Sequence, residues 1–89
     1  MTNKKAVSLK YNRIEHSAPV VTAAGKGAIA DEILEIATNN QIPVVEDIAL
    51  VELLSKLNIN ETIPEELYEA VAEVFAFIYN TEQSIKQNK

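Results

Sequence analysis

From residue 6 the chain alternates. In Ala6-Val7-Ser8-Leu9-Lys10-Tyr11, the apolar Val7, Leu9 and Tyr11 are separated by the polar Ser8 and Lys10, the period-two signature of a half-buried strand. Asn12 to Ser17 is a polar stretch carrying Arg13, Glu15 and His16. Pro19-Val20-Val21-Thr22-Ala23 reads as a second, more apolar strand, opened by the proline where a missing N–H is tolerated. Gly25-Lys26-Gly27 then punctuates the chain.

At Ala28 the period changes. Ile29, Ile33, Ile36 and Ala37 recur at helical spacing with Asp31, Glu32 and Glu35 between them, and Asn39-Asn40 supplies a stop. Gln41-Ile42-Pro43-Val44-Val45 is a candidate third strand, which would make strand, helix and strand one βαβ unit with a right-handed crossover. Asp47 can cap a second helix whose buried side is Leu50, Val51, Leu53, Leu54 and Leu57. Asn58-Ile59-Asn60 reads as a turn or a very short strand. A third helix opens at Pro64 with Glu65 and Glu66 in its first turn and runs to about Asn80, ahead of a polar tail over 81–89. The pattern therefore predicts an α/β fold: a small mixed sheet of three to four short strands packed by three helices.

The third helix has an unusually wide apolar arc. At 100° per residue Leu67, Val71, Val74 and Ile78 share a line, with Ala70 and Phe77 on one side. Tyr68, Ala72, Phe75 and Tyr79 continue the arc on the other side, and Glu65, Glu69 and Glu73 hold the polar sector. Tyr68 and Tyr79 either close the rim of the core or form an aromatic strip facing a partner.

Composition narrows the function. Eighty-nine residues make one modest domain. A net charge of -5 with scattered lysines argues against a nucleic-acid partner. With no cysteine, disulfides and thiolate chemistry are excluded, in keeping with the cytoplasm. The longest apolar run, over 74–79, falls far short of the ~20 residues of a membrane span. His16 is the single histidine and reads as a solvated loop residue. Gly25-Lys26-Gly27 holds fragments of a phosphate-binding loop without its full spacing. A small ligand-binding or enzymatic domain using that turn is accordingly the alternative reading. Glu46 and Asp47 could ligate a metal, though a helix N-terminus is the commoner use of such acids. No nucleophile–base pair and no metal set assembles, so no enzyme, cofactor or metal is expected.

A binding module remains. The first strand has nothing upstream to pair with in this sequence, and it either lies inside the sheet or presents backbone groups along an edge that could accept another polypeptide. Val7, Leu9 and Lys10 are its candidate contact residues.

In order along the chain, "AVSLKYN", "SAPVV", "ILEIATNNQIPVVEDIALVELL" and "IPEELYEAVAEVFAFIY" resemble the cytoplasmic C-terminal domain of the flagellar and type III secretion export-switch family, of which FlhB is the flagellar member. The resemblance covers residues 6 to 80. It implies the fold of that domain, with residues 1–5 in place of the family's cleavage motif and 81–89 as a tail. Members carry Asn-Pro-Thr-His before the first of these strands and cut themselves after the Asn. Here the aligned positions are Met1, Thr2, Asn3 and Lys4, so self-cleavage is expected to be absent and the chain to correspond to the fragment that follows the cut. Ala24 stands where members often carry lysine before a glycine, and the lysine is displaced to Lys26. The matching Ser17, Ala18, Pro19 and Val20 lie in a segment that the family links to substrate recognition. The implied role is a non-catalytic module that stands in for, or competes with, the switch's C-terminal fragment. Implied partners are the membrane-anchored part of the switch, the cytoplasmic domain of the large export-gate protein, and export substrates or chaperones. Recruitment to the membrane export gate follows from the same resemblance.

Overall fold

The computed structural model describes residues 4–11, 14 and 18–87, with side chains through residue 80. Strand β1, Lys5–Lys10, pairs antiparallel with β2, Val20–Lys26, in a two-stranded sheet. Ala6 lies opposite Gly25, Ser8 opposite Ala23 and Leu9 opposite Val21. Between Ser8 and Leu9 the register slips at Thr22, whose hydroxyl donates to the Ser8 hydroxyl at 2.9 Å. The bulge thus fills its own gap with a side-chain bond.

Helices cover both faces. Alternation puts Lys5, Val7 and Leu9 on one face and Ala6 and Ser8 on the other. On the Ala6 face sits α1, Ala28–Asn39, over a floor of small residues. An added Cβ on Gly25 would fall inside the Ile29 side chain. Ala6 and Ala30 are buried. Gly27 has φ 62 and ψ -128, a region closed to residues with a Cβ, and it makes the turn from strand to helix. At the far end Gln41 takes the left-handed position at φ 55, and the Ile42 N–H donates to the Ala37 carbonyl at 2.8 Å, closing a Schellman motif.

On the Val7 face lie α2, Ile48–Leu54, and α3, Tyr68–Gln87. Asp47 caps α2 by accepting the Leu50 N–H at 3.0 Å, a contact worth about 1 kcal/mol. Leu50, Leu54, Ile63, Val71 and Ala18 form the buried cluster, and Val7, Leu9, Leu67, Val74 and Phe75 pack against it. A single 3₁₀ turn, Glu65–Leu67, leads from Pro64 into α3. Two ion pairs hold the start of β1 between its flanking helices: Lys4 to Asp31 at 2.7 Å and Lys5 to Glu52 at 2.8 Å.

The α/β class with three helices around a small sheet stands as expected, but the strand content differs. Residues 42–47 form no ladder, so the expected third strand, its βαβ unit and the mixed sheet do not form among the described residues. Pro43 removes a donor from that segment, and the sheet offers it no open place beside β2. The outer side of β2 is taken by residues 60–63: Asn60 donates to the Val21 carbonyl (2.7 Å), Val21 to Glu61 (2.9 Å) and Ile63 to Pro19 (3.0 Å), with a bridge between Val20 and Thr62. Ile42, Val44 and Val45 are left substantially exposed. At the other terminus α3 continues past Asn80 to Gln87.

Candidate docking site

Proline opens the site. Pro19 fixes its own φ and biases Ala18 toward an extended backbone. The Ile63 N–H then ties the Pro19 carbonyl to the segment that leads into α3. On α3, Tyr68, Ala72 and Phe75 follow one another at four- and three-residue spacing and so share a stripe. Between two aromatics, the single methyl of Ala72 leaves a depression. Where this stripe faces Ala18 and Pro19, an apolar cleft of about 300 Å³ opens, lined by Tyr11, Ala18, Pro19, Ile63, Tyr68, Val71, Ala72 and Phe75.

The floor is buried: Ala18, Ile63 and Val71 are 3%, 2% and 1% exposed. Tyr11 and Tyr68 stand at the rim, each a little over two-fifths exposed, and the Tyr11 ring packs on Phe75 at 6.3 Å between centroids, tilted by 41°. The tyrosine hydroxyls are the only polar side-chain atoms among the lining residues. A site of this kind takes an apolar or aromatic side chain by desolvation and shape, with the hydroxyls available to orient it.

Of the expected contact residues, Ala18, Pro19 and Tyr68 converge on the cleft. Val20 is buried between Lys10 and Thr62 and does not line it. Val7 and Leu9 are half-buried against the core cluster, and Lys10 is exposed at the end of β1. Tyr79 continues the α3 stripe beyond the cleft and is 61% exposed. Ser17, His16 and Asn3 lie outside the described residues. Tyr11, Ile63, Val71, Ala72 and Phe75 complete the lining. The repeat of Tyr68, Ala72, Phe75 and Tyr79 carried the signal for the α3 side, whereas Ile63 reaches the cleft only through its bond to Pro19.

Elsewhere, Gly25 and Lys26 belong to β2 and Gly27 alone makes the turn into α1. Asp47 is a helix cap, and no group of three or more potential metal ligands gathers among the described residues. The Glu52 carboxyl is held below its ordinary pKa by its hydrogen bond to Lys5 and by that lysine's charge. No helix in the described residues is long and apolar enough to cross a membrane.

The geometry is that of an α-covered antiparallel hairpin with an apolar cleft at the sheet end, and comparison with other proteins gives the family. The model of the FlhB HrpN YscU SpaS family matches residues 3–78. The YlqH protein of Bacillus subtilis strain 168 is 46% identical over 86 residues, covering 97% of this chain and 92% of that protein. The flagellar biosynthetic protein FlhB of Aquifex aeolicus is 45% identical over 74 residues, 82% of this chain but 21% of FlhB. Among solved structures, the cytoplasmic domain of FlhB from Shewanella putrefaciens superposes with a TM-score of 0.89 at 32% identity, covering 94% of this chain and 66% of that one. The PscU C-terminal domain superposes with a TM-score of 0.80 at 33% identity, over 84% of this chain and 96% of its own. The chain belongs to the FlhB HrpN YscU SpaS family. It spans about a fifth of the length of the Aquifex FlhB it matches.

Proposed function

We propose that this chain is a non-catalytic docking module of the flagellar or type III export apparatus, standing in for or competing with the C-terminal fragment of the export switch. The observation that carries the reading is the cleft. Ala18 and Pro19, in the segment matching the family, meet Tyr68, Ala72 and Phe75 of α3 around an apolar depression with a buried floor. Such a depression accepts an exposed apolar side chain of another polypeptide, and a few desolvated anchors of this kind supply most of the energy of a protein–protein contact. Export substrates or their chaperones are the partners proposed for the cleft. The membrane-anchored part of the switch and the cytoplasmic domain of the export gate are the partners that would hold the module at the membrane.

The test is genetic. The chain is co-expressed in cells whose export switch is truncated at its cleavage site, and motility and secretion are scored. Substitution requires recovery with the wild-type chain and its loss with Ala72→Trp, which fills the cleft. Inhibition of export in cells with an intact switch supports competition instead. No effect in either background sinks the reading.

A further inference from the structure

One segment rich in strand-forming residues has no ladder to join. The outer side of β2 is filled by residues 60–63, and residues 42–46 pass between α1 and α2 without a backbone partner. The Val44, Val45 and Glu46 N–H groups and the Pro43, Val44 and Val45 carbonyls form no hydrogen bond to another described residue. Both ends of the segment are nevertheless pinned. The Ala37 carbonyl accepts the Ile42 N–H at 2.8 Å, and Asp47 is committed to the cap of α2. Ile42, Val44 and Val45 are exposed, and Ile48, just beyond, is 83% exposed. Large apolar side chains left open one after another mark a contact surface, unlike the scattered exposure of any monomer.

Charge narrows what can cover it. Residues 28–54 include acids but no lysine, arginine or histidine. Lys4 and Lys5 reach in from outside this stretch to Asp31 and Glu52, and Asp47 is engaged by the Leu50 N–H. Glu32, Glu35 and Glu46 form no ion pair among the described residues. Glu46 closes the open segment at one end, and Glu35 stands two residues before the carbonyl that anchors Ile42 at the other. An anionic lipid surface would be repelled by these carboxylates, and a second copy would bring acid against acid. An extended polypeptide with positive charge at its ends answers all three features: open backbone groups, apolar side chains and carboxylates without a counter-ion.

We propose that residues 42–46 are a docking site for an extended segment of another polypeptide with an apolar centre and a basic residue towards each end. Its backbone pairs with the open groups of Val44, Val45 and Glu46. Ile42 and Val44, which share one side of an extended chain, are covered by its apolar side chains. Its lysines or arginines meet Glu35 and Glu46. This surface is separate from the cleft lined by α3 and does not depend on what the cleft binds.

A synthetic peptide tests it: alternating valine and threonine with lysine at both ends and blocked termini, titrated into the isotope-labelled full chain. The largest amide shifts should fall on Val44, Val45 and Glu46, and at saturation these amides should exchange at least ~10-fold more slowly. Aspartate in place of the lysines should weaken binding at least ~10-fold, and N-methylation of the peptide backbone should abolish it. Val44 and Glu46 are exposed, so Val44→Ser should weaken the lysine peptide, and Glu46→Lys should remove most of the lysine preference, in chains that melt like wild type. Should either variant not fold, the aspartate and N-methylated peptides decide on the wild-type chain. Equal affinity for the lysine and aspartate peptides overturns the proposal, as do Val44 and Val45 amides already protected in the free chain or shifts confined to β1. In Ala72→Trp the peptide should bind unchanged; its loss there puts it in the cleft and overturns this site. Co-sedimentation of the chain with phosphatidylglycerol vesicles, or a dimer that Val44→Ser dissociates, overturns it in favour of a lipid or a second copy. Failed complementation with peptide binding intact sinks only the export role.

Discussion

Replacing Gly25 with alanine should lever α1 off the sheet. An ideal Cβ at residue 25 overlaps Ile29 Cγ2 and lies 2.7 Å from Ile29 Cβ, whereas carbon atoms in contact prefer about 3.5–4.0 Å. Ile29 is 51% exposed, so its Cγ2 has room to rotate away. Its Cβ does not, because it is fixed to the α1 backbone, and relief requires the first turn of the helix to retreat by close to 1 Å. Overpacking of this kind costs about 1–3 kcal/mol. Removing a glycine from a strand returns roughly 0.5–1 kcal/mol. The net loss should be about 1–2 kcal/mol, a fall of roughly 5–15 °C in melting temperature for a domain of this size. Circular dichroism melts of four proteins read it: wild type, Gly25→Ala, Ile29→Gly and the double variant. The penalty should shrink by at least ~1 kcal/mol in the Ile29→Gly background, while Ile29→Ala, which keeps the offending Cβ, should rescue only in part. A Gly25→Ala protein that melts at or above wild type refutes the close-packing explanation.

Gln41 holds a left-handed conformation that costs a residue with a Cβ about 1–2 kcal/mol. Gln41→Gly should therefore stabilise the chain by about 0.5 kcal/mol after the added freedom of the unfolded chain is deducted, and denaturant melts showing a loss would contradict the Schellman geometry. Lys5→Ala should move the Glu52 carboxyl back toward its ordinary titration range in a carboxyl-detected NMR titration, with the nearby Lys56 charge still acting on it. Because the folded-state pKa of Glu52 is lowered, its contribution is present above the unfolded pKa and fades as pH falls through the folded one; the variant should lose that acid-side dependence. Purified protein should give one intact mass, since Asn3 is followed by Lys4 and not by proline. A product cut after Asn3 would show that scission does not need the Asn-Pro bond.

Much of this fold could be read from spacing. The β1 alternation and the Asp47 cap depend on near neighbours in sequence and appear where the pattern put them, whereas Pro64 opens a 3₁₀ turn and the α-helix expected from it begins at Tyr68. The failure at residues 41–45 is one of competition: Ile42, Val44 and Val45 have strand character, but β2 has one open side there and residues 60–63 occupy it. No local signal records which of two segments wins an edge. The cleft divides the same way. Helical periodicity brings Tyr68, Ala72 and Phe75 together, and Pro19 announces an extended segment. Their meeting is a tertiary event, made by the Ile63–Pro19 bond and by Tyr11 packing on Phe75. Gly25 was legible as punctuation only; that it admits Ile29 is visible once α1 is laid on the sheet.

The most direct measurement is retention on the immobilised chain of the membrane-anchored half of the export switch, the cytoplasmic domain of the export gate and an export substrate, each compared with an Ala72→Trp chain. A docking module should retain at least one of them, and the blocked cleft should weaken the substrate's binding at least ~10-fold. Failure to hold any of the three at micromolar concentrations, or a substrate held equally by both chains, would contradict it.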